Sequence, residues 1–333
     1  VTALNELQTA PLMRIPRTSS ARRQVTAAVK AGRAIRPLPG IIMSAQVCDD
    51  YRAWVFATWM WRPSAIVAGR AALCLQGVEG ITVQNVDVLL PYTYADRGRL
   101  RYRRCELPPE LVTDRGHGPV VVPAAAALLL GVQGDLEAVC AALKQRITTV
   151  SEMRQARALL RCHPDARKMD RVLRYVSQSP WSVAELEVHE LLRLVGITGW
   201  KGNPKLILHP SGHERGRICY PDAAFEAEKL ALEVASETYH NNSMAFAMDT
   251  LRARWFAAEG WTQMPVTPVQ VRRDPNAFLA DLCSRLSSRH RPSELPWVEY
   301  TGGAPFWRIV DRREKEAQWW ENEAPLSQEN EVW

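Results

Sequence analysis

Tyr220-Pro-Asp-Ala-Ala-Phe-Glu-Ala-Glu-Lys-Leu-Ala-Leu-Glu-Val-Ala-Ser236 is the stretch on which the reading of this chain turns. Pro221-Asp222 opens one strand, and Glu233 follows on the next, across a turn near Ala227-Glu228. Such a hairpin brings two carboxylates to one end of a sheet. Paired hard oxygens of this kind suit Mg²⁺. Bound Mg²⁺ activates water and stabilises the charge that develops in phosphodiester cleavage. Asp222 and Glu233 are therefore candidate metal ligands.

Upstream, Ser182 to Val195 has the apolar spacing of an amphipathic helix beside that sheet. Its Glu185 would add a third carboxylate. Ser182-Val-Ala-Glu185 is also a capping box, which accounts for both residues with no function at all. Further strands are expected at Lys205–His209, Ile218–Phe225, Lys229–Ala235 and Gln263–Thr267. Helices are expected at Ala245–Ala258 and Asn276–Ser287.

Taken in order, Glu185, Pro221-Asp222, Glu233, His240, Asp249-Thr-Leu-Arg252 and Gly260-Trp261 resemble the small restriction-endonuclease-like domains related to very-short-patch-repair endonucleases. The resemblance covers about Ser182 to Leu286. It implies an α/β domain with a mixed central sheet and Mg²⁺-dependent cleavage of DNA. Glu185, Asp222, Glu233 and His240 would be catalytic, and Arg252 would sit on the scissile phosphate. The chain departs from the family where Glu-x-Asp-Gly is usual. It has Glu233-Val-Ala-Ser236, and Tyr239 replaces the first of two histidines. Ala235 can neither ligate a metal nor orient a water. Lys205 and Lys229 are the nearby lysines that could stand in.

The opposite end of the chain is basic. From Leu7 to Cys48 there is no acidic residue, while Arg14, Arg17, Arg22, Arg23, Lys30, Arg33 and Arg36 all fall in that window. A short helix at Ala3–Thr9 is expected to break at Pro11 and Pro16. A second helix, Ala21–Ala31, is capped by Ser19-Ser20 and stopped by Gly32. A hairpin turning at Pro39-Gly40 follows. Helix, turn, helix, hairpin is the order of a winged helix-turn-helix. Arg22 and Arg23 would enter a major groove, Arg33 and Arg36 would lie on the wing near phosphates, and Arg17 and Lys30 complete the candidate DNA-binding set. A solvated basic face is the plainer alternative.

Beyond it, Asp49–Trp61 and Ile66–Gln76 read as helices, and Val83–Leu90, Leu100–Cys105 and Val120–Val122 as strands. Helices follow from Pro123, Asp135, Ser151 and Asp165. The frame Ala68-Gly-Arg-Ala-Ala-Leu-Cys-Leu-Gln-Gly77, with Pro123-Ala-Ala-Ala-Ala-Leu-Leu-Leu130 after the strands, resembles the AbiEi-type antitoxins of type IV toxin–antitoxin systems. That resemblance covers about residues 1 to 160 and implies a DNA-binding regulator with a partner toxin. The first serine of the family's signature and its later Thr-Arg are missing here.

The expected organisation is thus α/β throughout: a winged helix-turn-helix over 1–48, an antitoxin-like α/β region over 49–176, a restriction-endonuclease-like domain over 177–290, and an acidic tail over 291–333. The polar stretch Ser177–Pro180 marks the main boundary. The tail carries Trp319, Trp320 and Trp333 and, from Asp311, seven acids against three bases, which suits a protein partner.

Composition bounds these readings. The chain has 333 residues, 47% of them apolar, and a formal net charge of +6. That excludes collagen-like, wholly disordered and disulfide-scaffold classes. The longest apolar run, Pro119–Val132, is shorter than the ~20 residues a bilayer needs. No secretory leader pattern is seen, and the seven cysteines form no Cys-x-x-Cys. A cytoplasmic, DNA-binding protein is the expectation. Its C-terminal domain would be either a Mg²⁺-dependent endonuclease or a catalytically silent regulator. A scaffold that binds protein through the acidic tail is the third option.

Overall fold

The computed structural model describes residues 10–114, 116–209, 216–235, 243–286 and 290–311. The chain divides into two compact units, one ending at Arg174 and the other beginning at Tyr175. Both are mixed α/β. Among the described residues no helix is long and apolar enough to cross a membrane.

The first unit opens with β1 (Leu12–Arg14), α1 (Ser19–Lys30), β2 (Ala34–Ile35) and β3 (Ile41–Ser44). The three strands form one antiparallel sheet in the order β1-β3-β2. Val25, Ala28, Ala34 and Ile42 make its small core. The β2–β3 hairpin lies where the sequence places it. Leu12–Arg14, expected as a break between two helices, is instead a strand. Pro11 and Pro16 flank it and still leave enough backbone N–H groups to pair with β3. Only one helix of the expected pair is described, because Ala3–Thr9 lies outside the described residues. Its N-cap is Thr18, whose hydroxyl accepts from the Ala21 N–H at 3.2 Å, and not Ser19-Ser20.

Next come α2 (Tyr51–Trp61), β4 (Ile66–Ala68), α3 (Gly69–Leu75), β5 (Val86–Leu90), β6 (Leu100–Arg104), β7 (Val112–Asp114) and β8 (Pro119–Val121). The stretch Ile66–Gln76 is therefore not one helix. The β-branched Ile66-Val67 joins the sheet, and Gly69, at φ +64°, turns the chain into α3. A Cβ there would lie 2.3 Å from Asp87 Oδ2, so only glycine fits. The five strands run β6-β5-β4-β8-β7 with both parallel and antiparallel pairs. Helix α4 (Pro123–Val132) is apolar on every side and nearly all buried, as a core helix should be. Helices α5 (Leu136–Lys144) and α6 (Val150–Leu159) follow, and α7 (Ala166–Tyr175) runs up to the unit's end.

The second unit begins with α8 (Val183–Leu194), β9 (Trp200–Gly202), β10 (Leu206–Leu208), β11 (Arg217–Cys219), β12 (Ala223–Phe225) and β13 (Leu230–Val234). Then follow α9 (Ser243–Ala258), β14 (Thr262–Val266), α10 (Pro268–Arg273), α11 (Pro275–Arg285), β15 (Trp297–Tyr300) and β16 (Trp307–Val310). The central sheet runs β14-β13-β12-β9 and is mixed. β13 and β14 are parallel, joined by the crossover through α9. The expected strand Ile218–Phe225 is split in two. Pro221 has no N–H to give a ladder, so β11 pairs with β10 in a separate ribbon while β12 joins the main sheet. Strand β9 and helix α10 were not anticipated.

The segment from Arg291, expected as part of an acidic tail, forms a β15–β16 hairpin over 297–310. Phe306 and Trp307 are buried, and the Trp307 indole donates to the Glu187 carbonyl at 2.8 Å. Those large apolar side chains supply the burial that a free tail lacks. Trp319, Trp320 and Trp333 lie outside the described residues.

Candidate functional site

The register of β12 on β13 pairs Ala223 with Leu232, which sets Asp222 opposite Glu233 at the next step. The Asp222 N–H donates to the Leu232 carbonyl at 3.1 Å, and the Val234 N–H donates to Asp222 Oδ2 at 2.6 Å. Cross-strand neighbours of this kind have Cβ atoms about 5 Å apart. The two carboxylates therefore face each other at one end of the sheet.

Glu185, in the first turn of α8, is 7% exposed. Its own N–H donates to Ser182 Oγ at 3.1 Å, and Ser182 Oγ donates back to Oε1 at 3.0 Å. Oε2 accepts from the Trp181 N–H at 2.7 Å and from Asn203 Nδ2 at 2.9 Å. The capping role is thus real, and the carboxylate is also close enough to Asp222 to act on it. Burial, then the charges of Glu185 and Glu233, push the Asp222 carboxyl up to about 8. Burial also raises Glu233, against the opposing pull of Arg252. Three acids share a small volume with too little positive charge.

Among the described residues, Arg252 on α9 supplies the compensating charge. Its Nη2 donates to Glu233 Oε1 at 3.0 Å. The resemblance sets this arginine on a phosphate, and here it holds a carboxylate. His240 lies outside the described residues, as do Tyr239 and Ser236. Ala235 is exposed at the end of β13. Lys229 gives its ammonium to the Glu259 carbonyl at 2.7 Å, and Lys205 is exposed.

Among the described residues no group of three or more His, Cys, Asp or Glu side chains is arranged to hold a metal ion. Asp222 Oδ1 and Glu233 Oε2 have no hydrogen-bond donor among the described residues. One oxygen from each of two carboxylates, without a donor among the described residues, fits Mg²⁺, which keeps most of its waters and takes one or two protein carboxylates. The excess negative charge that raises Asp222 fits it as well.

Two residues at the site carry no motif that picks them out. His189, one turn after Glu185, donates from Nε2 to the Asp222 carbonyl at 2.8 Å. The i, i+4 spacing from Glu185 was its only signal. Asn203, at φ +45°, donates its N–H to the same carbonyl at 3.3 Å and its amide to Glu185.

The basic residues of the first unit fall on α1 and around it. Arg22, Arg23, Thr26, Ala27 and Lys30 line one shallow depression along the exposed side of α1. Arg36 reaches over from beyond β2 and donates to Thr26 Oγ1 at 2.8 Å, and Thr26 in turn donates to the Arg22 carbonyl. Arg33 is exposed ahead of β2 and Arg17 ahead of α1. None of Arg17, Arg22, Arg23, Lys30, Arg33 and Arg36 joins an ion pair among the described residues. Comparison with protein-family models, with curated proteins and with solved structures found no match to this chain.

Proposed function

We propose that this is a cytoplasmic DNA-binding protein whose second unit carries a Mg²⁺-dependent phosphodiester-cleaving site of the restriction-endonuclease type. The apposition of Asp222 and Glu233 across the β12–β13 register, each with an oxygen that has no donor among the described residues, carries the reading. Mg²⁺ held by these two oxygens would supply charge stabilisation at the phosphoryl group and a more acidic water. The chain's own residues do the rest. Val234 N–H and the His189 hydrogen bond fix Asp222. Arg252 spends one donor on Glu233 and has others for a phosphate oxygen. In the overall hydrolysis, water oxygen bonds to phosphorus, the P–O bond to the leaving sugar breaks, and the departing oxygen takes up a proton.

The basic face of α1 supports the DNA-binding part. Cations with no acidic partner are what counterion release on a phosphate backbone requires.

A second reading is favoured by Ala235 and by the Arg252–Glu233 pair. Together they leave position 235 without a metal-ligating side chain and one carboxylate partly neutralised. On that reading the site is silent, and the chain is a regulator or antitoxin that binds DNA and a partner protein.

The two separate in one experiment. Supercoiled DNA is incubated with the full chain in Mg²⁺ or Mn²⁺ beside the Asp222→Ala variant. Metal-dependent nicking that vanishes in the variant supports the nuclease. Salt-sensitive binding without cleavage, unchanged by the substitution, leaves the regulator.

A further inference from the structure

Three half-buried aromatic rings of the first unit, Trp61, Tyr94 and Tyr102, meet one another, and a fourth, Tyr92, joins them through Arg62. Trp61 ends α2, Tyr92 and Tyr94 follow β5, and Tyr102 lies in the edge strand β6. Ring centroids are 5.0 Å apart for Trp61 and Tyr94, 4.9 Å for Tyr94 and Tyr102, and 6.1 Å for Trp61 and Tyr102. The exposed Arg62 guanidinium sits 4.7 Å from the Trp61 ring centroid and 5.0 Å from that of Tyr92. All four rings are half-buried, so they are not simply core. The hydroxyls of Tyr92 and Tyr102 are buried with no hydrogen-bond partner among the described residues.

An arginine held against aromatic rings is positioned before any ligand arrives, and the exposed part of its planar guanidinium can meet a flat ligand. A cationic ligand is disfavoured here, because Arg62 already occupies the position over the rings and the exposed Arg97 lies near Tyr102. A flat ligand that carries negative charge suits both features. The cluster also adjoins the basic head. Arg97 Nη2 donates to the Arg36 carbonyl at 3.3 Å, and Arg36 is the residue that leans on Thr26 of α1.

We propose that Trp61, Arg62, Tyr92, Tyr94 and Tyr102 form a stacking platform for an unpaired base of a nucleic-acid strand whose duplex part lies on α1. The duplex part of this inference rests on the DNA-binding reading above, and the platform itself does not use the carboxylate site. Aromatic stacking contributes to single-strand binding with little regard to sequence.

The test measures binding of the full chain to a blunt DNA duplex and to the same duplex with a single-stranded overhang of about ten nucleotides. The overhang is expected to tighten binding roughly ten-fold. Tyr94→Ala and Arg62→Lys should each abolish most of that gain and leave blunt-duplex affinity unchanged. Arg62→Lys keeps the charge and loses the flat stacking surface. Tyr94→Leu, which keeps apolar bulk, replaces Tyr94→Ala if thermal melting shows the latter unfolded. Arg22→Ala should weaken both DNAs alike. Duplex binding with no overhang gain, or a gain that survives the ring and arginine variants, overturns the platform and spares the DNA-binding reading. Failure to bind either DNA overturns both. An acidic peptide that competes for the wild type but not for Arg62→Lys, with no overhang gain, would assign the surface to a protein and overturn the platform.

Discussion

The imidazole of His189 donates from Nε2 to the backbone carbonyl of Asp222 at 2.8 Å, and its Nδ1 is buried with no partner among the described residues. Trp200 lies against the ring at 4.8 Å, and a Cβ on Gly202 would lie 2.6 Å from His189 Cε1. Burial holds this imidazole neutral and pushes its pKa down to about 4. The unfolded chain takes up the proton near 6.5, and the folded one only near 4. His189 therefore costs stability as pH falls through that window, by up to about 1.4 kcal/mol per pH unit. His189→Gln keeps a donor for Asp222 and should lose this dependence. Urea midpoints between pH 7 and 4 measure it, and an identical slope in the variant would refute the assignment.

Asp222 acts in the opposite sense. Its carboxyl, pushed up to about 8 by burial and by Glu185 and Glu233, keeps its proton in the fold where the unfolded chain has lost it. Stability from this group is present at low pH and is lost as pH rises from the ordinary carboxylate range towards 8. Between about 4 and 6.5 the two effects oppose each other in the wild type. Asp222→Asn resembles the protonated form and retains an acceptor for the Val234 N–H. It should show stability rising with pH in that interval, and should exceed the wild type at pH 8. Parallel urea titrations of the wild type and the variant decide this, and parallel pH profiles would count against a raised Asp222.

The Asp222–Glu233 apposition was legible because an eleven-residue offset across a turn leaves little freedom in an antiparallel pair. What escaped depended on single residues overriding local pattern. The apolar run Ile218–Phe225 reads as one strand, yet Pro221 sends its halves to different sheets. Ile66–Gln76 has helical composition, yet Gly69 in the left-handed region separates a strand from a short helix. Leu12–Arg14, between two prolines, owes its strand to pairing with Ile41–Met43, a long-range partner that no local window contains. The hairpin at 297–310 was hidden by the charged sequence around it, because Phe306 and Trp307 show their purpose only against α8. Side-chain pairing was the least legible layer. Nothing in the spacing tells whether Arg252 meets a phosphate or Glu233.

Removing Arg252 should expose how much charge the acidic site tolerates. In Arg252→Gln the half-buried Glu233 loses its ion pair, so its carboxyl should rise further and stability at pH 7 should fall by about 1–2 kcal/mol. A divalent cation that binds the folded form restores stability by mass action. Millimolar Mg²⁺ should therefore raise the melting temperature of Arg252→Gln more than that of the wild type. Equal, null responses in both proteins would argue against cation binding at Asp222 and Glu233.

The Glu187–Arg272 pair predicts an asymmetry that a simple count of salt bridges would miss. Glu187 is 3% exposed and accepts from Arg272 Nε at 2.8 Å, from Arg272 Nη2 at 3.1 Å and from the Tyr300 hydroxyl at 3.0 Å. The Arg272 side chain is 34% exposed, so it can turn to water if its partner goes. Glu187 cannot. Arg272→Ala leaves a buried carboxylate short of its charged partner and should cost about 3 kcal/mol. Glu187→Gln removes the charge, keeps an acceptor for Tyr300 and should cost about 1 kcal/mol. Tyr300→Phe should cost a similar amount and loosen the 297–310 hairpin, read as faster proteolysis at Gly302-Gly303. Chemical denaturation of the three variants ranks them, and a Glu187→Gln loss larger than that of Arg272→Ala would show that desolvation of the carboxylate is not what this network balances.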